Sequence, residues 1–267
     1  MHVHFLDPYK EGDSPVHALD PRVKLVLLLA FLLTVSLTPI GAWPIYILLL
    51  SVSLSIIILS DLGVGRVLRR SLLALPFVLA ALPLVFTSGG DVVLTIPLGF
   101  GHLTVFEPGL ERFGSLLFKS WVSVQMAIVL AGTTPFPDLL LAMRGIRVPR
   151  LLVAIFGLMW RYLFVMADEA GRLTRARKSR SGDSEGRGKG GGSLAWRARV
   201  TGGMAGNLFV RSLSRGDRIY DAMRSRGYDG EVRLLAMPAM RAGDWATLGL
   251  GVLSLAALLL LAFLFQL

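Results

Sequence analysis

Apolar residues in this chain come in long runs. Val23–Leu37, Trp43–Leu59, Leu72–Phe86, Phe113–Gly132 and Trp245–Leu267 each read as a near-continuous apolar segment, which predicts five membrane-spanning helices. The first run stops at Pro39. The shorter runs fall below bilayer thickness, because a fifteen-residue helix rises about 22 Å against a hydrocarbon core of about 30 Å. Flanking residues, neighbouring helices or local thinning must complete the crossing. Leu72–Phe86 also holds Pro76 and Pro83, each of which removes a backbone donor and invites a kink. The stretch Thr87–Arg112 interleaves Val, Leu, Ile and Phe with Gly and Pro and predicts a short extracytoplasmic hairpin. A further apolar stretch, Leu151–Met166, has Arg161 as its one charge. Were it a span, the basic residues beyond it would lie outside, so it is expected to lie at the cytoplasmic membrane interface and to run on as the polar segment Ala167–Arg180.

Composition supports a membrane class. Of 267 residues 54% are hydrophobic and 17% charged, too little polar surface to cover a soluble globule, so a water-soluble enzyme is excluded. The fold expected is all-α and polytopic. With no cysteine, disulfides, thiolate nucleophiles and Cys-ligated metals drop out. The net charge of +10 is concentrated: residues 134–244 hold 20 basic and 10 acidic side chains, and the remainder balances. This divides the chain into 1–133, an N-terminal tail with four spans; 134–244, a basic helical region; and 245–267, a last span. Lys10, Arg22 and Lys24 precede the first span and Arg66, Arg69 and Arg70 follow the second, while the turn Thr38–Ala42 has no basic residue. Basic residues stay on the cytoplasmic side, which predicts the N-terminus and 134–244 inside and the C-terminus outside. The first 22 residues lack a leader pattern, and no cleaved signal peptide is expected.

Within 134–244 the pattern predicts two amphipathic helices, about Pro149–Arg180 and Leu194–Arg226, joined by the Gly/Ser-rich linker 181–193. Their ends are alike: Ala176-Arg177-Lys178-Ser179-Arg180-Ser181 and Ala222-Met223-Arg224-Ser225-Arg226-Gly227. A guanidinium is a fixed charge with a rigid fork of donors, and small neighbours permit close approach, so two such tips suit two acidic grooves on a partner protein. Arginine-rich juxtamembrane helices with no docking role account for the pattern equally well. Gly188-Lys189-Gly190 is the nearest approach to a phosphate-binding loop and lacks its spacing and hydroxyl. Neither a catalytic residue nor a cofactor or metal site is predicted. Asp168, Glu169, Asp217 and Asp221 form no aspartate-rich motif of the kind that an enzyme acting on a lipid or isoprenoid phosphate would need for magnesium. A nucleic-acid binder is disfavoured because aromatics are not interleaved with the basic residues. His2, His4 and Asp7 fall short of a convergent metal set, and His17 and His102 are isolated. Lys119, with Gln125 six residues on, is the clearest ionisable group in a span, and a packing or snorkelling role is favoured for it.

The opening Ser14-Pro15-Val16-His17-Ala18-Leu19-Asp20-Pro21-Arg22-Val23-Lys24, leading straight into an apolar span, resembles the start of the CbiQ/EcfT family. Arg161-Tyr162 followed by Asp168-Glu169, and the two Ser-Arg-small tips, are similar to that family's cytoplasmic region. The resemblance covers nearly the whole chain. It implies a transmembrane T component of an energy-coupling factor transporter: a non-catalytic scaffold in the bilayer, bound to two ABC-type ATPases and to a membrane-embedded substrate-binding S component, for cobalt or another micronutrient. It implies further that Arg180 and Arg226 are the coupling arginines, flanked by Ser179 and Ser181 in one tip and by Ser225 and Gly227 in the other. Ser181 stands where the family usually has glycine.

Overall fold

The computed structural model describes residues 8–89, 91–98, 101–180, 193–229 and 239–265. Along the chain the elements are α1 (Pro15–Ala18), α2 (Pro21–Leu37), α3 (Trp43–Leu59), α4 (Val64–Ser71), a 3-10 turn (Leu72–Ala74), α5 (Leu75–Leu79), α6 (Leu84–Thr87), β1 (Val92–Leu98), β2 (Gly101–Phe106), α7 (Glu107–Thr133), α8 (Phe136–Gly145), α9 (Arg150–Arg180), α10 (Leu194–Ser225) and α11 (Ala242–Leu264). They fall into two compact units, one holding α1 to α8 with α11, the other α9 and α10. The helical architecture expected from the apolar runs is present. By length and composition α7, α9 and α11 can each cross a membrane, and α3 is a shorter apolar helix.

In the larger unit, α2, α3, α7 and α11 share a core of Leu28, Phe31, Val35, Ile45, Leu49, Val122, Met126, Leu255 and Ala262. Its starting point is local. Asp20 caps α2 by accepting from the Arg22 N–H at 2.8 Å, and Pro21 takes the first turn, where a missing N–H costs nothing. On α7 the buried residues Ser115, Val122, Met126, Val129 and Thr133 recur at spacings of three, four or seven positions, so one stripe faces the bundle. Gly109 belongs to that helix because α6 lies against it: a Cβ there would meet the Leu84 carbonyl oxygen at 2.7 Å. Buried in the same bundle, Ser53 Oγ donates to Gln125 Oε1 at 3.0 Å.

Two sequence-based expectations change. The run Leu72–Phe86 is not one helix: it divides into the 3-10 turn, α5 and α6, and the backbone between α5 and α6 is held by bonds such as Ala81 N–H to the Val78 carbonyl and Leu82 N–H to the Leu79 carbonyl, at 2.9 and 3.0 Å. These are i to i−3 bonds of a turn, tighter than the i to i−4 ladder of an α-helix. The helix expected over Phe113–Gly132 instead begins at Glu107, because Pro108 suits a first turn and the polar residues up to Arg112 continue it. The expected hairpin forms as an antiparallel β1–β2 pair with Leu98 opposite Gly101 and Val92 opposite Phe106.

At one end of the bundle Lys119 Nζ donates to the carbonyls of Ser36 (3.2 Å) and Thr38 (2.5 Å), satisfying the last turn of α2. Lys119 therefore has the packing role expected of it. At the other end His17 has hydrogen-bonding neighbours: its Nδ1 is 2.7 Å from Ser14 Oγ and its Nε2 3.0 Å from the Lys10 carbonyl. Lys24 Nζ donates to the His17 and Thr133 carbonyls, both at 3.1 Å, and Lys10 N–H donates to the Gly132 carbonyl at 3.0 Å. The segment 10–24 thus ties the start of α2 to the end of α7.

Candidate functional site

The second unit consists of α9 and α10. Ser193 caps α10 by accepting from the Trp196 N–H at 3.3 Å. The apolar half of α9 ends at Met166, and the polar half carries the contacts that fix the pair's direction. Glu169 accepts from Arg172 at 2.5 Å on its own helix and from Arg211 of α10 at 2.9 Å, while Arg177 donates to Thr201 at 3.1 Å. Residues lining the hollow between the helices pair Leu158, Met159 and Tyr162 with Arg215, Gly216 and Ile219. As numbers rise on α9 they fall on α10, so the helices run antiparallel. The hydrogen bond from Arg172, with Arg211 adding to it, holds the Glu169 carboxyl below its usual range. Arg215 Nη1 is buried in this unit without a hydrogen-bond partner among the described residues.

Arg180 and Arg226 are both exposed, as are Ser179 and Ser225 beside them. Ser179 Oγ donates to the Ala176 carbonyl at 2.9 Å, and Ser225 Oγ donates to the Ala222 carbonyl at 3.0 Å. The same Ala-x-x-Ser-Arg geometry is therefore built twice. Arg180 ends α9, whose last turn also carries Arg177 and Lys178, positive charge placed where the helix dipole favours it. Arg226 is the residue at which α10 stops. Gly227 follows at φ +79°, with its N–H on the Arg224 carbonyl and the Tyr228 N–H on the Met223 carbonyl, both at 3.0 Å. That bond pair is the Schellman ending. It satisfies the last carbonyls and turns the chain away directly after Arg226. Ser181, like His2, His4, Asp7 and most of the linker 181–193, lies outside the described residues.

From the Glu169–Arg211 contact, α9 runs on to Arg180 and α10 to Arg226 in opposite directions. At 1.5 Å per residue the two tips stand about 40 Å apart. The sequence showed both tips but not the clasp between the helices: Glu169 and Arg211 lie 42 positions apart, and no local spacing links them. Asp168 is exposed, while the adjacent Glu169 takes both arginines. Among the described residues, no group of three or more His, Asp or Glu is placed to hold a metal ion.

The family model described as CbiQ, cobalt transport protein, matches residues 12–235, a stretch that includes residues 12–24 of the N-terminal tie and both tips. The chain belongs to the CbiQ family. The cobalt transport protein CbiQ of Rhodobacter capsulatus is 32% identical over 157 residues, 59% of this chain and 61% of that one. The energy-coupling factor transporter transmembrane protein EcfT of Lacticaseibacillus paracasei is 29% identical over 271 residues, 96% and 97% of the two chains. The protein of the same name from Thermanaerovibrio acidaminovorans is 30% identical over 270 residues, 96% and 95%. This CbiQ-family chain is a transmembrane component of a transporter, and its apolar helices place it in the membrane.

Proposed function

We propose that the chain is the non-catalytic T subunit of an energy-coupling factor importer, and that Arg180 and Arg226 seat its two helix tips in grooves on two ABC-type ATPase subunits. Ser179 and Ser181 flank the first arginine, Ser225 and Gly227 the second. What carries this reading is the repeated Ser-Arg tip, exposed at both ends of one antiparallel helix pair. Two equal tips about 40 Å apart suit a partner that offers the same groove twice. ATP hydrolysis then belongs to the partners. Closure of the ATPase dimer shifts the helix pair only as far as the closed state binds one arrangement of the tips better than the other, and the movement is passed to a separate membrane-embedded S component that binds cobalt or another micronutrient.

The decisive experiment is the double variant Arg180→Ala, Arg226→Ala, reconstituted with its ATPases and S component. Transport is expected to fall at least tenfold while membrane insertion stays normal. Unchanged transport with the ATPases still bound would refute the docking role.

A further inference from the structure

Helix α4 connects α3 to the apolar stretch beginning at Leu72, so it lies at a membrane surface whichever way the chain is oriented. One side of it is fixed. Val67 and Ser71 are buried, and Val67 packs with Ile57, Leu62 and Val129, with Val64 against the same group. Arg66, Arg69 and Arg70 are exposed on the opposite side. At i, i+3 and i+4 they fall within an arc of about 100°. Arg66 Nη1 donates to the Leu62 carbonyl at 3.1 Å, and among the described residues none of the three has a carboxylate within ion-pair distance. With Gly65 and Leu73 they line an open hollow of about 580 Å³. Leu73 is 74% exposed, directly below the arginines in the next turn.

Three exposed guanidiniums, none with a carboxylate partner among the described residues, over an exposed leucine form a surface with positive charge at headgroup level and an apolar step beneath. We propose that this hollow on α4 is a binding site for the headgroup of an anionic phospholipid, the arginines holding its phosphodiester and Leu73 meeting the start of an acyl chain. Guanidinium and phosphate oxygens match in charge and in bidentate geometry, and basic clusters at a bilayer surface draw anionic lipid. The site is independent of the arginine tips.

The test uses the full chain assembled with its partner subunits, stripped of lipid in mild detergent and titrated with phosphatidylglycerol or with phosphatidylcholine under native mass spectrometry. Phosphatidylglycerol is expected to bind the more tightly, and each of Arg66→Gln, Arg69→Gln and Arg70→Gln to weaken it about fivefold, with phosphatidylcholine unaffected. Gly65→Leu keeps all three charges and fills the hollow, since an added Cβ at Gly65 meets no atom within 4 Å; it is expected to weaken phosphatidylglycerol as well. A triple Gln variant that binds phosphatidylglycerol like the parent overturns the proposal. So does displacement of the lipid by equimolar glycerol phosphate, or a triple variant that sheds partner subunits and keeps its lipid preference. Should the triple variant fail to assemble, Gly65→Leu decides alone, and an unchanged preference there overturns it.

Discussion

At φ +79° and with open space around its Cα, Gly227 is glycine for its backbone and not for its size. An L-residue pays about 1 kcal/mol to adopt that conformation, so Gly227→Ala is expected to fray the last turn of α10, while Gly227→Asn, which tolerates the left-handed region, recovers most of the loss. Hydrogen exchange at the amides of Arg226 to Tyr228 reads this directly, and ATPase copurification should follow the same order. Glu169 offers a second test. Its folded carboxyl titrates below the unfolded value near 4.3, so its contribution is present in full above that value and is lost as pH falls through the lowered one. Protection of the α9–α10 contact is expected to be flat at neutral pH and to fall below about pH 4, and Glu169→Gln should flatten that acid limb. The sequence placed Glu169 beside Asp168 on a helix, where a residue three positions on, such as Arg172, shares its face. It could not show Arg211, because which face of α10 meets α9 depends on how the helices pack.

The elements most legible in the sequence were those in which one signal dominates. α9 and α10 were readable almost to the residue because a glycine-rich linker separates them, and α3 matched its apolar run. Where two signals compete, reading failed: apolarity marked Leu72–Phe86 as one span, while Pro76 and Pro83 broke its ladder into three pieces. Polarity placed Glu107–Arg112 in a loop, and continuity with α7 made it helix. Ser53 passed unnoticed because a serine in an apolar helix bonds back to its own turn as readily as across, as Ser51 does to Ile47 and Ser55 to Ser51. Ser53 instead spends its hydroxyl on Gln125 of α7, whose Nε2 is buried without a partner among the described residues. Ser53→Ala should therefore leave the whole buried amide unpaired and cost about 1 kcal/mol, seen as a lower unfolding temperature in detergent. Adding Gln125→Leu should restore stability, since an apolar pair is better than half a polar one. A double variant less stable than Ser53→Ala alone would assign the glutamine some other partner.

For the molecule as a whole, α9 decides which side of the membrane the arginine tips face. The helix as a whole, Arg150–Arg180, is long and apolar enough to cross, and length alone would make it a span. Charge argues otherwise: if α9 crossed, the basic tips at Arg180 and Arg226 would stand outside, away from any ATPase and against the retention of Lys and Arg on the cytoplasmic face. The natural absence of cysteine makes the matter directly readable by single-cysteine variants at exposed positions: Glu11, Asp91 in the hairpin and Asp221 on α10. In intact cells a membrane-impermeant maleimide is expected to label Asp91→Cys alone, with Glu11→Cys and Asp221→Cys labelled only after permeabilisation. Labelling of Asp221→Cys from outside, with Glu11→Cys still protected, would make α9 a true span and move both arginine tips to the wrong side for nucleotide-driven coupling. The docking proposal would then fall, while the phospholipid site on α4, argued from a segment before α9, would stand.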